Sequence, residues 1–373
     1  MYDVDAIAGE PLLLDPLRHS VESGAVPRYL RSAKIKLTAR CNLKCVMCRF
    51  GRGLSLPELD EAAFSRILGE LAEAGCRKVH FSGGEVLARN DTERLVGRAS
   101  HLGMKATLTT NLTLLTPDRA KALLRGRPSS ISTSLDGATP KTHDAVRGIP
   151  GAFKKTMRAL ERLATLRERR GLRTRLRVNF TILRKNYRDY PALVAVAAAA
   201  GATEVHPMPV DDSTDRTGHR LSRRLIDEYN ERIAPLVLEA RRAAGFSTDD
   251  QLVYPFGRGR THEKESAAGN YAGGYYHRHL CYAPYTHLFV AWDGKVYLCC
   301  MTNGKIEPLG DLSVQSVGEV FRGERFQAMR RQMERQRLPS CHRCDMFLEE
   351  NRTLDAALKR LPIAAPALHA TAR

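Results

Sequence analysis

One pattern limits the fold of this chain more than any other. Between residues 34 and 210 a short β-rich run, a polar or glycine-rich loop and a stretch with apolar residues at helical spacing recur in series. "AKIKLTA" is followed by "LDEAAFSRILGELAEAG", "KVHFSGGE" by residues 91–103, "MKATLTTN" by 117–126, "SSISTSLDG" by about 151–170 and "TRLRVNFTIL" by 189–200, and "TEVHPMPV" closes the series. Strands separated by helices return to the same edge direction and pair in parallel. Six such units therefore predict an α/β fold whose parallel sheet curves into a partly closed barrel. Chemistry-bearing residues collect where such barrels keep their sites, at the C-terminal ends of the strands: a cysteine loop, Gly83-Gly84-Glu85, Thr109-Thr110-Asn111 and Ser134-Leu135-Asp136.

The remainder reads differently. Residues 1–33 form an N-terminal extension whose apolar run "PLLLDPL" is too short and interrupted for a signal peptide. Residues 211–277 hold a polar start, a helix near 222–244 and a glycine-, charge- and tyrosine-rich run, the pattern of a linker with a mobile lid. Residues 278–350 carry a hairpin, "HLFVAWDGKVYLCC", with a turn at Asp293-Gly294, then a basic helix over about 317–336. Residues 351–373 read as a C-terminal tail. The longest apolar run, 192–200, is half a membrane span, so the chain is expected in the cytoplasm.

Three cysteines fall within eight positions, at Cys41, Cys45 and Cys48, with no fourth Cys or His close by. Structural zinc takes four ligands. A four-iron cube held by three thiolates suits the loop better, because it leaves one iron open to a further ligand. A second set, Cys281, Cys299, Cys341 and Cys344, has a full complement of four, which fits either structural zinc or a second cluster. Cys300 adjoins Cys299, but successive strand residues point to opposite faces, and Cys299 is favoured as the ligand. Cys76 reads as a core thiol. Nine cysteines in a chain with no secretion signal argue for metal or redox chemistry rather than disulfides.

Cys41-x3-Cys45-x2-Cys48 after a first strand, followed by Gly83-Gly84-Glu85 at the end of the second, resembles the radical S-adenosylmethionine (SAM) enzymes. The resemblance implies a partial (β/α)6 TIM-like barrel, a 4Fe-4S cluster on Cys41, Cys45 and Cys48, and SAM on the open iron. It places Gly83, Gly84 and Glu85 at the SAM amino group and Thr110, Asn111, Ser134 and Asp136 among later cofactor contacts. Arg147 stands where a basic residue meets the SAM carboxylate, and Met47 replaces the usual aromatic beside the adenine. Coupled to such a barrel, the second cysteine set resembles a twitch domain, the shortened SPASM extension, with one auxiliary 4Fe-4S cluster.

The expected reaction is hydrogen abstraction by a 5′-deoxyadenosyl radical. The auxiliary cluster would then take an electron, dehydrogenating a secondary alcohol of a sugar or aminocyclitol in natural-product biosynthesis, by analogy with 2-deoxy-scyllo-inosamine dehydrogenase. His206 and Asp211, with Asp212, are candidate bases. Maturation of a ribosomal peptide by epimerisation or cross-linking is the alternative, placed second because only residues 1–33 precede the first strand. Radical decarboxylation or dehydration of a sugar is a further one. The excess of 59 Lys plus Arg over 41 Asp plus Glu, +18 in all, suits an acidic electron donor such as flavodoxin or ferredoxin, with Arg330 and Arg331 on the docking face. A zinc-stapled nucleic-acid-binding protein would account for the charge and leave the first cysteine loop unexplained. No membrane partner is expected.

Overall fold

The structure, a computed structural model, describes residues 7–48, 50, 56–211, 218–345 and 347–360. Six parallel strands follow in sequence and in space: β1 (Ser32–Thr38), β2 (Lys78–Gly83), β3 (Lys105–Thr109), β4 (Ser130–Ser134), β5 (Arg175–Ile182) and β6 (Glu204–Pro209). Their helices, Glu61–Glu73, Thr92–His101, Pro117–Arg125, Ala152–Arg169 and Tyr190–Ala199, lie within a few residues of the ranges that periodicity predicts. The α/β partial barrel is as expected.

Most buried parallel sheets are apolar on both faces. These strands alternate instead. In β5, Leu176, Val178, Phe180 and Ile182 are buried in the main core, while Arg177, Asn179 and Thr181 are half-buried on the opposite face. Register extends that polar face across the sheet: Lys36 pairs with Ser82, Thr109 with Ser132, and Asn179 with His206. One face packs on helices. The other lines a polar lumen.

The hairpin of the C-terminal segment is not a separate layer. Its first strand, β7 (His287–Val290), pairs in parallel with β1, Ser32 opposite His287 and Ile35 opposite Val290. Strands β8 (Lys295–Tyr297) and β9 (Gly310–Asp311) follow antiparallel, giving one nine-stranded sheet in the order β6-β5-β4-β3-β2-β1-β7-β8-β9. The turn between β7 and β8 is the expected one, with Gly294 at φ +86° and the Lys295 N–H donating to Asp293 Oδ1 at 3.2 Å.

Several sequence expectations are corrected. Residues 250–278 are not a loose lid. They fold as short helices, Asp250–Val253, Arg260–Ala267 and Tyr275–Arg278, with Tyr275 and Tyr276 buried against Cys281, Cys341 and Cys344. The tail from 351 begins as the second turn of a helix, Leu348–Arg360, whose Asn351 and Leu354 are fully buried. The single basic helix of 317–336 is two, Val317–Arg322 and Glu324–Arg335, interrupted at Gly323 where ψ is 159°. Helices Pro11–Ser23 and Pro140–Arg147 were not anticipated; Thr139 and Pro140 carry the start signal of the second, a capping hydroxyl before a first-turn proline. Cys76 is a core thiol, 1% exposed, as read. Among the described residues no helix is long and apolar enough to cross a membrane.

Candidate functional site

The loop after β1 is fixed at both ends by backbone contacts. Gly84 N–H donates to Thr38 O and Glu85 N–H to Arg40 O, each at 2.8 Å. A Cβ on Gly83 would lie 2.6 Å from Thr38 O, and one on Gly84 would lie 2.2 Å from Arg40 O. The glycine pair is therefore demanded by the cluster loop's own stem, which passes too close for any side chain. Farther along, Lys44 N–H donates to Arg147 O at 3.1 Å and Val46 N–H to Val146 O at 2.9 Å, docking the loop on the end of helix Pro140–Arg147.

Cys41, Cys45 and Cys48 are half-buried on this loop. Leu43 N–H points at Cys41 Sγ and Phe50 N–H at Cys48 Sγ, both at 3.4 Å, and Arg147 Nη1 lies 3.5 Å from Cys45 Sγ. Burial pushes the Cys41 thiol up to about 11, with Cys45 and Cys48 adding to the rise. Burial also raises Cys45, against the opposing pull of Arg147. Three thiols that feel one another, each met by an N–H donor, suit sulfur that carries negative charge on iron. Among the described residues no three His, Cys, Asp or Glu side chains are close enough for a single ion. One zinc at a ~2.3 Å bond length would draw its sulfurs to about 4 Å of each other; a cube holds each on a different iron. The donor set fits a cluster.

The other expected cofactor residues divide into two groups. Glu85 is 1% exposed; its carboxylate accepts from Leu87 N–H at 2.9 Å, the Thr110 hydroxyl at 2.5 Å and Asn111 N–H at 2.6 Å. Burial raises its pKa and these donors oppose the rise. Asn111 Nδ2 in turn donates to Asn42 Oδ1 in the cysteine loop at 2.9 Å. Glu85, Thr110 and Asn111 thus form a brace beneath the loop, and the Gly83-Gly84 backbone stands above it. Asp136 and Arg147 form a second brace: a 2.7 Å ion pair buried at both ends, with Asp136 Oδ1 accepting from Thr181 N–H at 2.9 Å. Burial opposes charge on Arg147, but Asp136 and Cys45 outweigh it and hold the guanidinium cationic. Ser134 ends β4 opposite Asn179. Met47 packs on Val146, Leu183 and Val210.

His206 lies on the lumen face of β6, and burial with the nearby Arg177 pushes its pKa down to about 4. It is neutral at physiological pH and a weak proton acceptor. Asp211 is exposed beyond the end of β6, and Asp212 lies outside the described residues. Asp345, not singled out from sequence, faces Asp211. Solvent reaches Asp345, yet protein surrounds it on most sides, and burial with the Asp211 charge pushes its carboxyl up to about 6.

The second cysteine set converges from three segments. Cys281 senses Cys299 and Cys341, and burial pushes Cys299 up to about 12. Cys299 packs in the cluster that contains Cys281 and Tyr282, whereas Cys300 packs with Phe289, Ala291 and Tyr297 on the other side. The pair divides, but not by strand alternation: both cysteines lie beyond the end of β8, in the turn that follows it. Tyr276 stands beside Cys281 and Cys344, and its hydroxyl accepts from Asn351 Nδ2 at 3.0 Å. Asp355 accepts from Tyr275 at 2.5 Å and Tyr282 at 2.6 Å, with His279 Nδ1 at 3.0 Å. No sequence signal marked this network, because Tyr275 and Tyr276 lie on a segment read as lid, Asn351 and Asp355 on one read as tail, and His279 and Tyr282 between them carry no motif.

Glu58 was also missed. Its carboxylate accepts from the Thr38 hydroxyl, from Ala39 N–H at 3.0 Å and from Arg40 Nη2 at 3.2 Å. The next residue, Leu59, donates its N–H to Trp292 O at 2.8 Å. Lys36 faces the lumen with its ammonium 4.0 Å from the Phe50 ring centre. The alternating lysines of "AKIKLTA" in a central strand were a signal of that polar interior.

Residues 35–182 match the model of the radical SAM superfamily, and residues 281–345 match that of SPASM, an iron-sulfur cluster-binding domain. The chain is 34% identical over 173 residues to an AdoMet-dependent heme synthase of Methanosarcina barkeri, covering 46% of this chain and 48% of that protein. It is 34% identical over 172 residues to a PqqA peptide cyclase of Rhodopseudomonas palustris, covering 45% and 44%. The match thus spans about half the length of these curated relatives. Streptococcus suis SuiB has the same fold, with a TM-score of 0.63 at 16% identity over 85% of this chain and 71% of that one. The expected likeness to an aminocyclitol dehydrogenase is distant: BtrN in complex with AdoMet and 2-DOIA is 12% identical with a TM-score of 0.47, over 86% of this chain and 94% of that one.

Proposed function

For an enzyme that joins a radical SAM domain to a SPASM iron-sulfur cluster-binding domain, and so binds SAM, a SAM-coordinating 4Fe-4S cluster and an auxiliary cluster, we propose that the substrate is a ribosomally made peptide, matured by cross-linking or epimerisation. The observation that carries this reading is the 34% identity to a PqqA peptide cyclase. It displaces alcohol dehydrogenation, for which the comparison with BtrN is too remote to argue. A second reading, modification of a tetrapyrrole, is favoured by the equal identity to a heme synthase.

When bound, SAM and its cluster supply a 5′-deoxyadenosyl radical that removes a hydrogen atom from an unactivated C–H. The chain's own residues set where that happens. Cys41, Cys45 and Cys48 would hold the cluster, and Arg147, kept cationic by Asp136, would offset negative charge beside Cys45 and supply a cation for the SAM carboxylate. The Gly83-Gly84 backbone would meet the SAM ammonium, and Thr110 and Asn111 hold the carboxylate of the adjoining Glu85. Met47, packed on Val146, Leu183 and Val210, would offer its thioether to the adenine. Cys281, Cys299, Cys341 and Cys344 would hold the auxiliary cluster, and the Asp345 carboxyl beside Cys344 feels the Asp211 charge at the end of β6. Asp211, exposed beyond the end of β6, is better suited than neutral, half-buried His206 to receive a substrate proton.

The test is anaerobic reconstitution with iron and sulfide, followed by SAM, dithionite and peptides encoded beside the gene, read by mass spectrometry in deuterated water. A peptide lighter by two hydrogens marks a cross-link, and one that gains solvent deuterium without other change marks epimerisation. Conversion of a porphyrin substrate with every peptide left untouched would move the assignment to the tetrapyrrole reading.

A further inference from the structure

The helix expected to dock an electron carrier does not present the side chain chosen for it. Arg330 is 1% exposed; its Nε donates to Pro284 O at 2.8 Å and its guanidinium lies 4.5 Å from each of the Phe321 and Phe326 rings. It is an internal brace. The basic surface nearest the auxiliary cysteines is elsewhere. Arg278 is exposed three positions before Cys281, and Arg343 is exposed between Cys341 and Cys344. The rings of His277 and His342, 4.4 Å apart, bring these two segments together, and each exposed arginine is the next residue along from that contact. Arg337 joins them from below: it senses Cys281 and Cys341, and its Nε donates to His279 O at 3.3 Å.

Several carboxylates of this region have partners of their own. Asp355 is held by Tyr275, Tyr282 and His279, Glu334 accepts from Tyr285 at 2.5 Å, Glu349 pairs with Arg352 at 2.8 Å, and Asp345 faces Asp211 on the barrel side. Arg278 and Arg343 thus place positive charge at the surface within three residues of auxiliary cysteines.

We infer that the face formed by Arg278, Arg337 and Arg343 is the docking surface for an acidic one-electron carrier protein. The inference rests on the auxiliary-cluster reading above. Charge opposite in sign steers such a carrier in and orients it, and the position of the two exposed arginines, each within three residues of a cluster cysteine, brings its redox centre near the auxiliary cluster. Exposed pairs of this kind are screened by salt.

The experiment uses the reconstituted holoenzyme and an oxidised acidic flavodoxin as probe, with affinity measured by calorimetry at low and high salt. Arg278→Glu with Arg343→Glu is expected to weaken binding about tenfold or more at low salt and to flatten the salt dependence. Arg322→Glu with Arg331→Glu, exposed on the helices first expected to dock, is expected to change affinity less than twofold. Where the glutamate pair loses iron, Arg278→Gln with Arg343→Gln replaces it and is expected to weaken binding severalfold. Iron content and dithionite-driven SAM cleavage, unchanged in the variants, separate this inference from the radical SAM reading itself. Binding that survives both the glutamate and glutamine pairs, or that falls equally in the Arg322/Arg331 control, overturns the inference, as does tighter binding of a DNA duplex than of flavodoxin to this face.

Discussion

Replacing Gly84 with alanine puts a methyl carbon 2.2 Å from Arg40 O and 2.7 Å from Ala39 O. Both atoms are backbone and cannot swing aside. To reach the 3.4 Å of ordinary contact the loop stem must retreat by 3.4 − 2.2 = 1.2 Å. That movement breaks the two 2.8 Å bonds that Thr38 O and Arg40 O accept from Gly84 and Glu85. Each contributes about 1 kcal/mol, and overpacking adds about 1–3 kcal/mol, so a loss of about 3–5 kcal/mol is expected. Gly69, inside helix Glu61–Glu73, has nothing within 4 Å of its absent Cβ, so Gly69→Ala should stabilise by about 0.5–1 kcal/mol. Urea unfolding of the metal-free protein measures both, and iron per chain after anaerobic reconstitution measures the site. A Gly84→Ala protein within about 1 kcal/mol of wild type that still takes up its full iron would refute the claim that this glycine exists for the cluster loop.

Reconstituted protein should bind about eight irons, four per cube, with Cys41/Cys45/Cys48→Ala and Cys281→Ala each losing about half; Cys299→Ala should lose the auxiliary iron and Cys300→Ala keep it, and zinc in the second site would defeat the assignment. Arg147→Met strands a buried carboxylate and should cost about 3–5 kcal/mol, of which a second change, Asp136→Asn, should return a substantial part in a double-mutant unfolding cycle. His143 is 1% exposed and burial pushes its pKa down to about 3, so it folds neutral. Its contribution is complete above the free value of about 6.5 and is lost as pH falls from there toward 3. His143→Gln should flatten that acid limb in urea titrations of the metal-free protein; an unchanged slope would mean the ring is already protonated in the fold.

The barrel was legible because strand and helix periods alternate over a long stretch, and the three-cysteine loop because thiols within eight positions have few uses. What escaped was long-range. Glu85 looks like a ligand contact in sequence because it follows two glycines, yet its carboxylate is satisfied by Leu87, Thr110 and Asn111, the latter pair some 25 residues on. Glu58 follows a stretch without periodicity, and nothing local announces that it returns to Thr38 and Ala39. Tyr275, Tyr276 and Asp355 occur in composition that suggests mobility, but their partners arrive from 70 to 80 residues away and bury them. Arg330 was misplaced for a related reason: charge predicts exposure on average, and only the neighbouring Phe321 and Phe326 overrule it.

The pairing of β7 with β1 also determines how the molecule comes apart. A chain cut before residue 281 would turn β1, the central strand that leads into the cysteine loop, into an open edge with unpaired N–H and C=O groups facing solvent. The truncated barrel is thus an aggregation hazard rather than a minimal catalyst. Leu59 on Trp292 and Glu70 on Val317, at 2.8 and 2.7 Å, stitch the same seam from the helical side. The segments that carry the two sets of thiols are woven into one lattice, so they should melt in a single transition, with no joint along which one could swing or be swapped for another.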